Sequence, residues 1–459
     1  MKTGSPSASP AHPATAGGEL RRLVVLAWPV VLGQVGTMLM GVVDVGMVGR
    51  LGTGPLAAMA LAHTWGFSSL IFARGATHGL DPLVAQAHGA GDRPGASRAL
   101  LQGLVLAALL AIPVSLLHLV AAPGLGLLGQ PVELLDEAGA WCAVLALGVL
   151  PTLLFFTLRQ FLQGLERMRP ATEAILLANV ANVALNHGLM TGAWGLPDLG
   201  AVGCAWSTVI CQLLMLAWIL GRMLPLRAAY RIPLAGAVTL GGMGHLLSLG
   251  LPIGLQVSVE VWAFNVTNLM MGWLGPRFLA GHTVALNMAS VAFMVPLGIS
   301  AAAATRVGNL LGAGERWQRS GWLALGLSAA AMVVSGTLFL TLPEGLARLY
   351  TDDPEILAVA VLLIPLAGLF QLFDGFQAVS YGVLRGAGDV RLPMLVPVFA
   401  FWVFGLPVAY TLAFQQGLGP EGIWWGLIGA LAVAALLLAW RIRVTGRRGG
   451  TRVGPPAKR

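Results

Sequence analysis

Long apolar runs separated by short polar connections occupy almost the whole chain. The run from Leu100 to Leu119, for example, contains no Asp, Glu, Lys or Arg, and about 20 such residues can cross a bilayer as an α-helix. The short alternating segments typical of a transmembrane β-barrel are not seen. The pattern predicts an all-α polytopic membrane protein with twelve spans, at residues 23–48, 55–78, 97–120, 138–160, 171–193, 201–223, 246–273, 278–303, 320–343, 355–381, 392–416 and 422–442.

Composition agrees with a membrane protein. Of 459 residues 57% are hydrophobic and 10% are charged, whereas soluble domains carry roughly 25% charged residues. The net charge of +8 does not indicate nucleic acid, because the basic residues lie mostly in short connections between apolar runs. Cys142, Cys204 and Cys211 fall inside spans without metal-ligand spacing and are expected to be packing residues.

The connections alternate in charge along the chain. Both termini belong to the arginine-rich set, with Arg21 and Arg22 at one end and Arg441 and Arg443 at the other. By the positive-inside rule, both termini are expected in the cytoplasm. The arginine-rich connections contain Arg93, Arg98, Arg167, Arg169, Arg222, Arg227, Arg231, Arg316, Arg319, Arg385 and Arg391. The opposite connections contain Glu133, Asp136, Glu137, Asp198, Asp352, Asp353 and Glu421.

The chain repeats itself at an offset of 223 residues. Pro29 matches Pro252, Gly75 matches Gly298, and GAGD at residues 89–92 matches GAGE at residues 312–315. Further on, FLQG at 161–164 parallels VLRG at 383–386, one residue out of phase. Each repeat holds six spans, so the halves share one orientation and a pseudo-twofold axis normal to the membrane, which is a transporter plan.

The repeat also predicts how the chain is divided. Two six-helix lobes are expected to surround a central site and to rock against each other. The predicted parts are a flexible cytoplasmic tail at 1–22, lobes at 23–223 and 246–443, a cytoplasmic linker at 224–245 and a basic cytoplasmic tail at 444–459.

Three acidic residues lie well inside predicted spans: Asp44, Glu260 and Asp374. A charged side chain at the bilayer centre costs at least about 2.5 kcal/mol, and such residues usually face an internal cavity and carry ions or protons. At the 223-residue offset Thr37 aligns with Glu260 and Asp44 with Thr267. Each half is therefore expected to place one acid on the same stripe of its first helix, at a different depth.

Polar side chains accompany these acids at helical spacing, in stripes that have no use facing lipid. Their oxygens suit a hard cation or a proton relay, although the asparagine stripe is also explained by hydrogen bonding between helices alone. The stripes are Thr37, Met40, Asp44 and Met47; Asn179, Asn182 and Asn186; Gln256, Glu260, Phe264 and Thr267; and Phe370, Gln371, Asp374, Gln377 and Tyr381.

No arginine is expected to offset these acids, since Arg74 and Arg306 lie near predicted cytoplasmic ends from which they can snorkel. The central cavity is therefore predicted to be net acidic and to prefer organic cations. Aromatic and Met side chains would supply adaptable contacts, although Met also commonly fills core gaps.

These residues resemble the multidrug and toxic compound extrusion (MATE) exporters, in their NorM-like bacterial branch. The segments that carry the resemblance extend from about residue 23 to 440. They include PVVLGQVGTMLMGVVDVGMVGRLGTGPLAA, LVAQAHGAGD, QFLQGLERMRP, GLPIGLQVSVEVWAFNVTNLMMGWLG, HTVALNMASVAFMVPLGISAAAATRVGNLLGAG and FQLFDGFQAVSYGVLRGAGD.

The resemblance implies two lobes in a V around a central cavity and efflux driven by a Na⁺ or H⁺ gradient, without a cofactor. It places the coupling acids at Asp44, Glu260 and Asp374, with Na⁺ possible at the last two. A tyrosine found in some relatives is replaced here by Phe370, which leaves the coupling ion open. The residues expected to line the cavity or bind substrate are Gln34, Met40, Asn179, Asn182, Asn186, Gln256, Asn287, Phe370, Gln377 and Tyr381.

The expected protein is thus a monomeric antiporter of the bacterial inner membrane that exports small organic cations. The main alternative is a lipid-linked oligosaccharide flippase of the same superfamily, which usually has extra spans and needs arginines in its cavity for lipid pyrophosphates. A membrane enzyme would need a catalytic pattern such as His-Glu-x-x-His, which the sequence lacks. A passive channel would not need two asymmetric acidic lobes.

Overall fold

The computed structural model describes residues 15–230 and 238–453. In this part of the chain twelve helices are long and apolar enough to cross a membrane, one for each predicted span, and no strand occurs. They are α1 (Ala16–Leu51), α2 (Thr53–Gly89), α3 (Arg93–Leu119), α4 (Val132–Gly164), α5 (Arg169–Thr191), α6 (Gly200–Leu226), α7 (Leu240–Leu274), α8 (Pro276–Ala313), α9 (Gln318–Thr341), α10 (Pro354–Gly386), α11 (Leu395–Gln415) and α12 (Gly419–Arg447).

Two of these spans are interrupted along their length, while α1 and α6 end in 3₁₀ turns over Gly49–Leu51 and Leu224–Leu226. In α2 the helix Thr53–Thr77 is followed, after a short turn, by Leu80–Gly89. In α11 the α-helical pieces Leu395–Pro397 and Leu406–Tyr410 alternate with π-helices over Val398–Gly405 and Thr411–Gln415. Short helices in the connections cover Ala121–Leu127 and Pro343–Ala347, and a 3₁₀ turn covers Ala193–Gly195.

The first helix begins earlier than predicted, at Ala16 instead of residue 23. Thr15 caps it, since its Oγ1 accepts a hydrogen bond from the Gly18 amide at 3.4 Å. One turn later Glu19 is buried against Arg306. Residues 16–22 are therefore helical and are not part of a flexible tail, while the rest of the predicted tail, residues 1–14, lies outside the described residues.

The predicted linker and C-terminal tail are also partly ordered. The helix α7 begins at Leu240, inside the predicted linker 224–245. After α12 the Thr451 amide donates to the Ala387 carbonyl at 2.9 Å, and the Val453 side chain is buried. Residues 444–453 thus pack against the fold. The remaining parts of both predictions, 231–237 with Arg231 and 454–459, lie outside the described residues.

The helices pack in two groups of six. In the first group α4 contacts α2, α3 and α6, and α5 contacts α1 and α6; in the second, α10 contacts α8, α9 and α12, and α11 contacts α12. Between the groups, α1 packs against α8 and α2 packs against α7. A pseudo-twofold axis that exchanges the halves replaces α1 by α7 and α8 by α2. It therefore relates the contact of α1 with α8 to that of α7 with α2.

Two glycines, Gly89 and Gly312, make equivalent contacts with the opposite half, as the pseudo-twofold axis requires. A Cβ built on Gly89 would lie 2.0 Å from the carbonyl oxygen of Asn309, and one built on Gly312 would lie 2.0 Å from that of Gln86. Both pairs, Gly89 with Gly312 and Gln86 with Asn309, are 223 residues apart in the sequence. The backbones of the halves therefore meet in reciprocal contacts that only a residue without a side chain permits.

Ion pairs and a hydrogen bond between the halves lie at the same end of the molecule. Arg306 Nε and Nη2 donate to the Glu19 carboxylate at 2.7 and 2.9 Å. Asn309 Nδ2 donates to Glu166 at 2.9 Å, and Arg385 Nε lies 3.1 Å from Asp81. We call this region, with Gly89 and Gly312, the closed end.

Replacing Gly89 or Gly312 by alanine is expected to open the closed end. The added Cβ would clash with backbone, and such overpacking costs about 1–3 kcal/mol, equivalent to a population shift of roughly 5- to 150-fold. Spin labels on Arg93→Cys and Arg316→Cys, two exposed sites beside the glycines, would report the distance between the halves. Longer distances are expected in either variant.

Gly272→Ala is the matched control, because a Cβ there would meet nothing within 4 Å. Unchanged distances in both Gly89→Ala and Gly312→Ala would show that these glycines do not set the approach of the two halves.

Candidate functional site

The acid of the first half is held by two amides of α5. Asp44 is 4% exposed, and its Oδ1 accepts hydrogen bonds from Asn182 Nδ2 at 3.0 Å and from Asn186 Nδ2 at 2.7 Å. The helical spacing of Asn182 and Asn186 presents both amides to the same carboxylate. The structure thus brings together three residues that the sequence predicted on two separate helices.

Two oxygen atoms of this cluster accept no hydrogen bond from an amide. The Asp44 Oδ2 atom accepts no amide hydrogen bond, and Asn186 Oδ1 is buried without a donor among the described residues. Within those residues no Lys, Arg or His forms an ion pair with Asp44. A carboxylate in such a place can hold a proton or a cation, with the amide oxygen as a further ligand or acceptor.

The acids of the second half lie on α7 and α10. Gln377 Nε2 donates to Glu260 Oε1 at 2.8 Å, which links the two helices. Asp374 is 8% exposed and lies one turn before Gln377 on the same face of α10, which brings it beside Glu260. Two neighbouring carboxylates without a basic partner repel each other, so a shared proton or a bound cation would stabilise the pair.

Further polar atoms near these acids lack partners. Buried side-chain atoms without a hydrogen bond to any described residue include Tyr381 Oη and Gln377 Oε1. No group of three or more His, Cys, Asp or Glu in the described ranges is placed so that it could hold a metal ion. A cation between Glu260 and Asp374 would therefore complete its coordination with amide and hydroxyl oxygens, which suits Na⁺ better than a transition metal.

The positions equivalent to each acid in the other half are occupied by threonines. Thr37, which aligns with Glu260, donates to the Gly33 carbonyl of its own helix at 3.0 Å. Thr267, which aligns with Asp44, donates to the Phe264 carbonyl at 2.8 Å. Both hydroxyls are satisfied locally. The halves share one architecture but carry their acids at different depths.

Other predicted cavity residues have different surroundings. Phe370 is buried in an aromatic cluster, 6.0 Å from Phe264 and 5.5 Å from Trp424 between ring centroids. Asn179 donates to the Ile175 carbonyl at 2.8 Å and not to Asp44, and Asn287 is exposed without a hydrogen bond to described residues. Met40 is half-buried on the stripe of Asp44, and Gln256 is buried on that of Glu260.

Gln34 contacts Arg159, which was not among the predicted site residues. Its Oε1 accepts a hydrogen bond from Arg159 Nη2 at 3.2 Å. Arg159 lies inside α4, five residues before the helix ends at Gly164, and it forms no ion pair with Asp44, Glu260 or Asp374. An arginine within the predicted span 138–160 was the available signal. The expected snorkelling of Arg306 was wrong, since that side chain is 2% exposed and paired with Glu19.

The chain matches the family model described as MatE over residues 29–187 and 252–411. The two matches start 223 residues apart, the offset of the repeat. The chain is similar to multidrug resistance protein PmpM of Pseudomonas aeruginosa, with 36% identity covering 96% of this chain and 95% of that protein. It is similar to multidrug resistance protein NorM of Burkholderia vietnamiensis, with 37% identity covering 91% and 92%.

Solved structures share the fold. The crystal structure of the eukaryotic MATE transporter AtDTX14 matches with a TM-score of 0.86 and 24% identity, covering 95% of this chain and 99% of that chain. A multidrug resistance MATE family transporter of the MOP superfamily in an outward-facing conformation matches with a TM-score of 0.87 and 19% identity, covering 96% and 99%.

Proposed function

Because the chain belongs to the MatE family of membrane transporters, as its resemblance predicted, we propose that it is a cation-coupled antiporter that exports organic, mostly cationic, compounds by alternating access. Members of this family are transporters and not enzymes. The names of the relatives support multidrug substrates. The observation that carries the coupling is that Asp44 and Asp374 are buried, and Glu260 half-buried, without an ion pair to a basic residue among the described residues.

Burial makes these acids dependent on a cation. An unpaired carboxylate in the bilayer interior is costly, so it takes up a proton or metal ion or leaves the buried environment. A cationic substrate can satisfy the same charge. Ion and substrate would then compete for the acids, and each would favour a different arrangement of the lobes. Such a differential affinity is what drives a two-state change.

The closed end supports an outward-facing state. Its loops contain Arg93 and Arg316, and the positive-inside rule places them in the cytoplasm of a bacterial inner-membrane protein. The hydrogen bonds and ion pairs that join the halves lie at this end, as shown by Glu19 with Arg306 and Asp81 with Arg385. The cavity would therefore open to the outside, and these contacts would break when the transporter turns inward.

Cysteine labelling tests this orientation. An impermeant thiol reagent is expected not to label Arg93→Cys or Arg316→Cys in intact cells but to label Asp352→Cys on the opposite side. All three positions are exposed, and the native cysteines are buried. The measurement is labelling before and after the cells are made permeable. Efficient labelling of Arg93→Cys in intact cells would reverse the topology.

The arginine of α4 bears on the flippase alternative. Arg159 on α4 and Arg74 on α2 supply positive charge, which a lipid pyrophosphate would need. The names of the relatives favour multidrug export, however, and the buried acids would repel an anionic lipid headgroup. We therefore retain drug export as the function.

Transport into proteoliposomes tests the function. Tetramethylrhodamine methyl ester, a fluorescent monocation, is expected to accumulate against its gradient when an opposing Na⁺ or H⁺ gradient is imposed. Collapsing each gradient in turn, with a sodium ionophore or a protonophore, identifies the coupling ion. Accumulation that survives the loss of both gradients, or no transport under any gradient, would contradict coupled antiport.

A further inference from the structure

The chain turns back over the closed end after its last helix. The helix α12 ends at Arg447, and Gly449 and Gly450 follow with φ angles of 83° and 84°. Glycine adopts positive φ angles without the steric cost that a Cβ imposes, so this pair turns the chain sharply. We call residues 449–453 the strap, since they lead from the end of α12 to the boundary between the halves.

One side chain of the first half joins the strap to the second half. Gln86 of α2 is 3% exposed, and its Oε1 accepts a hydrogen bond from the Val453 amide at 2.9 Å. Its Nε2 donates to the carbonyls of Thr451 and Gly386, each at 3.2 Å. The Thr451 amide in turn donates to the Ala387 carbonyl at 2.9 Å. The strap therefore lies between α2 of one half and the end of α10 of the other.

Burial anchors the end of the strap. The Val453 side chain is 7% exposed and belongs to a hydrophobic cluster made mostly of first-half residues, with Leu83 and Val84 among them. The Val453 carbonyl accepts a hydrogen bond from His245 Nε2 of α7 at 2.7 Å. The amide, the carbonyl and the side chain of Val453 are thus all held at the boundary between the halves, where each contact stabilises the strap.

The equivalent residue of the first half contacts its own half. At the 223-residue offset Val453 corresponds to Tyr230. The Tyr230 ring packs on Phe161, with 5.6 Å between centroids, and its hydroxyl lies 3.4 Å from His88 Nδ1. Both of these partners belong to the first half. The crossing of the strap to the opposite half is therefore not a consequence of the repeat.

The strap has to detach when the closed end opens. Gln86 and Ala387 lie in different halves, and the strap is hydrogen-bonded to both, so separation of the halves breaks at least one of these contacts. The glycine pair can absorb this movement. The end of α12 can stay in place, because the Asp389 carboxylate accepts hydrogen bonds from Arg441 Nε at 2.6 Å and from Thr445 Oγ1.

We propose that the strap is a releasable latch that stabilises the state in which the closed end is shut. The inference goes beyond the proposed function, and it rests on that function only where the latch limits how often the transporter turns inward. The contacts of the latch exist in one of the two states alone. Weakening them therefore shifts the equilibrium toward the state in which the closed end is open.

Spin labels on Arg169→Cys and Arg391→Cys report the state of the closed end. These exposed residues follow α4 and α10, one in each half, and pulsed electron paramagnetic resonance gives the distance between them in the purified full chain. Val453→Asp places a charge in a buried apolar site, so the population with long distances is expected to rise about 10- to 100-fold. Thr451→Pro lacks the hydrogen donated to Ala387 and should raise it about 2- to 10-fold.

Two variants at one exposed position are the matched controls. Thr451→Ala keeps the backbone amide that Thr451→Pro removes. Thr451→Asp adds the same charge as Val453→Asp, but the side chain at position 451 is exposed. Both controls should leave the distance distribution unchanged. The melting temperature of each variant in detergent shows whether the fold itself is affected.

The outcomes separate the latch from a purely structural contact and from antiport. Unchanged distances in both Val453→Asp and Thr451→Pro, with or without a lower melting temperature, would overturn the latch. Equal shifts in Thr451→Asp and Val453→Asp would also overturn it, because the effect would then come from charge and not from lost contacts. Absence of gradient-driven uptake of tetramethylrhodamine methyl ester by the wild type would instead count against coupled antiport. The distances need neither gradient nor substrate and would still decide the latch.

Discussion

Replacing Asp374 by asparagine, or Glu260 by glutamine, lowers ion-driven export at least about 100-fold while the protein stays folded and inserted. The amides keep the shape of the carboxyl groups, and Gln377 can still donate its 2.8 Å hydrogen bond to the residue at position 260. The charge that would hold a proton or Na⁺ is lost, however. Moving a two-state equilibrium from one side to the other takes about 5.5 kcal/mol, which an uncharged site cannot draw from an ion.

The measurement is the initial rate of gradient-driven uptake of tetramethylrhodamine methyl ester at matched protein density. Asp352→Asn is the control, since that carboxylate is exposed in the connection before α10. It should transport as the wild type does. Wild-type rates in both Glu260→Gln and Asp374→Asn would remove the coupling role from the second half.

The second large effect is expected at Asp44. Asp44→Asn should bind neutral ligands as before but transport cations at least about 100-fold more slowly. Asparagine still offers Oδ1 to Asn182 and Asn186, which now donate at 3.0 and 2.7 Å, so the packing of α1 against α5 is retained. What disappears is the negative charge for which substrate and coupling ion compete.

Binding and transport should therefore separate in this variant. Affinity for a neutral ligand and thermal stability in detergent would stay near wild type, because removing an unpaired buried charge does not weaken the fold. Gradient-driven uptake of the methyl ester would fall. Uptake near the wild-type rate would identify Asp44 as a packing residue, and a large loss of thermal stability would show that its charge is structural.

The number and the approximate positions of the twelve spans were confirmed, because they depend on local patterns. All twelve spans follow from apolar runs whose length matches a bilayer, and they need no knowledge of distant contacts. The repeat predicted the pseudo-twofold arrangement for the same reason. The cluster of Asp44 with Asn182 and Asn186 could be anticipated as two polar stripes that have no use facing lipid.

Contacts between distant segments could not be predicted in this way. Glu19 and Arg306 are 287 residues apart, and nothing near Glu19 in the sequence indicates that it is buried. The closing of the halves at Gly89 and Gly312 depends on backbone approach, which leaves no hydrophobic pattern. Arg159 was not predicted as a site residue. The fourth span was predicted to end at residue 160, and arginines are common at the membrane interface. The helix, however, continues to Gly164.

Ion release on addition of substrate tests the central claim most directly. Purified protein loaded with the coupling ion is mixed with tetramethylrhodamine methyl ester, and released H⁺ or Na⁺ is measured in a weakly buffered solution. The wild type is expected to release ions in proportion to dye bound, and Asp44→Asn to release fewer than the wild type while Asp352→Asn matches it. Binding of the cationic dye by the wild type without release of either ion would contradict exchange of ion for substrate at buried carboxylates.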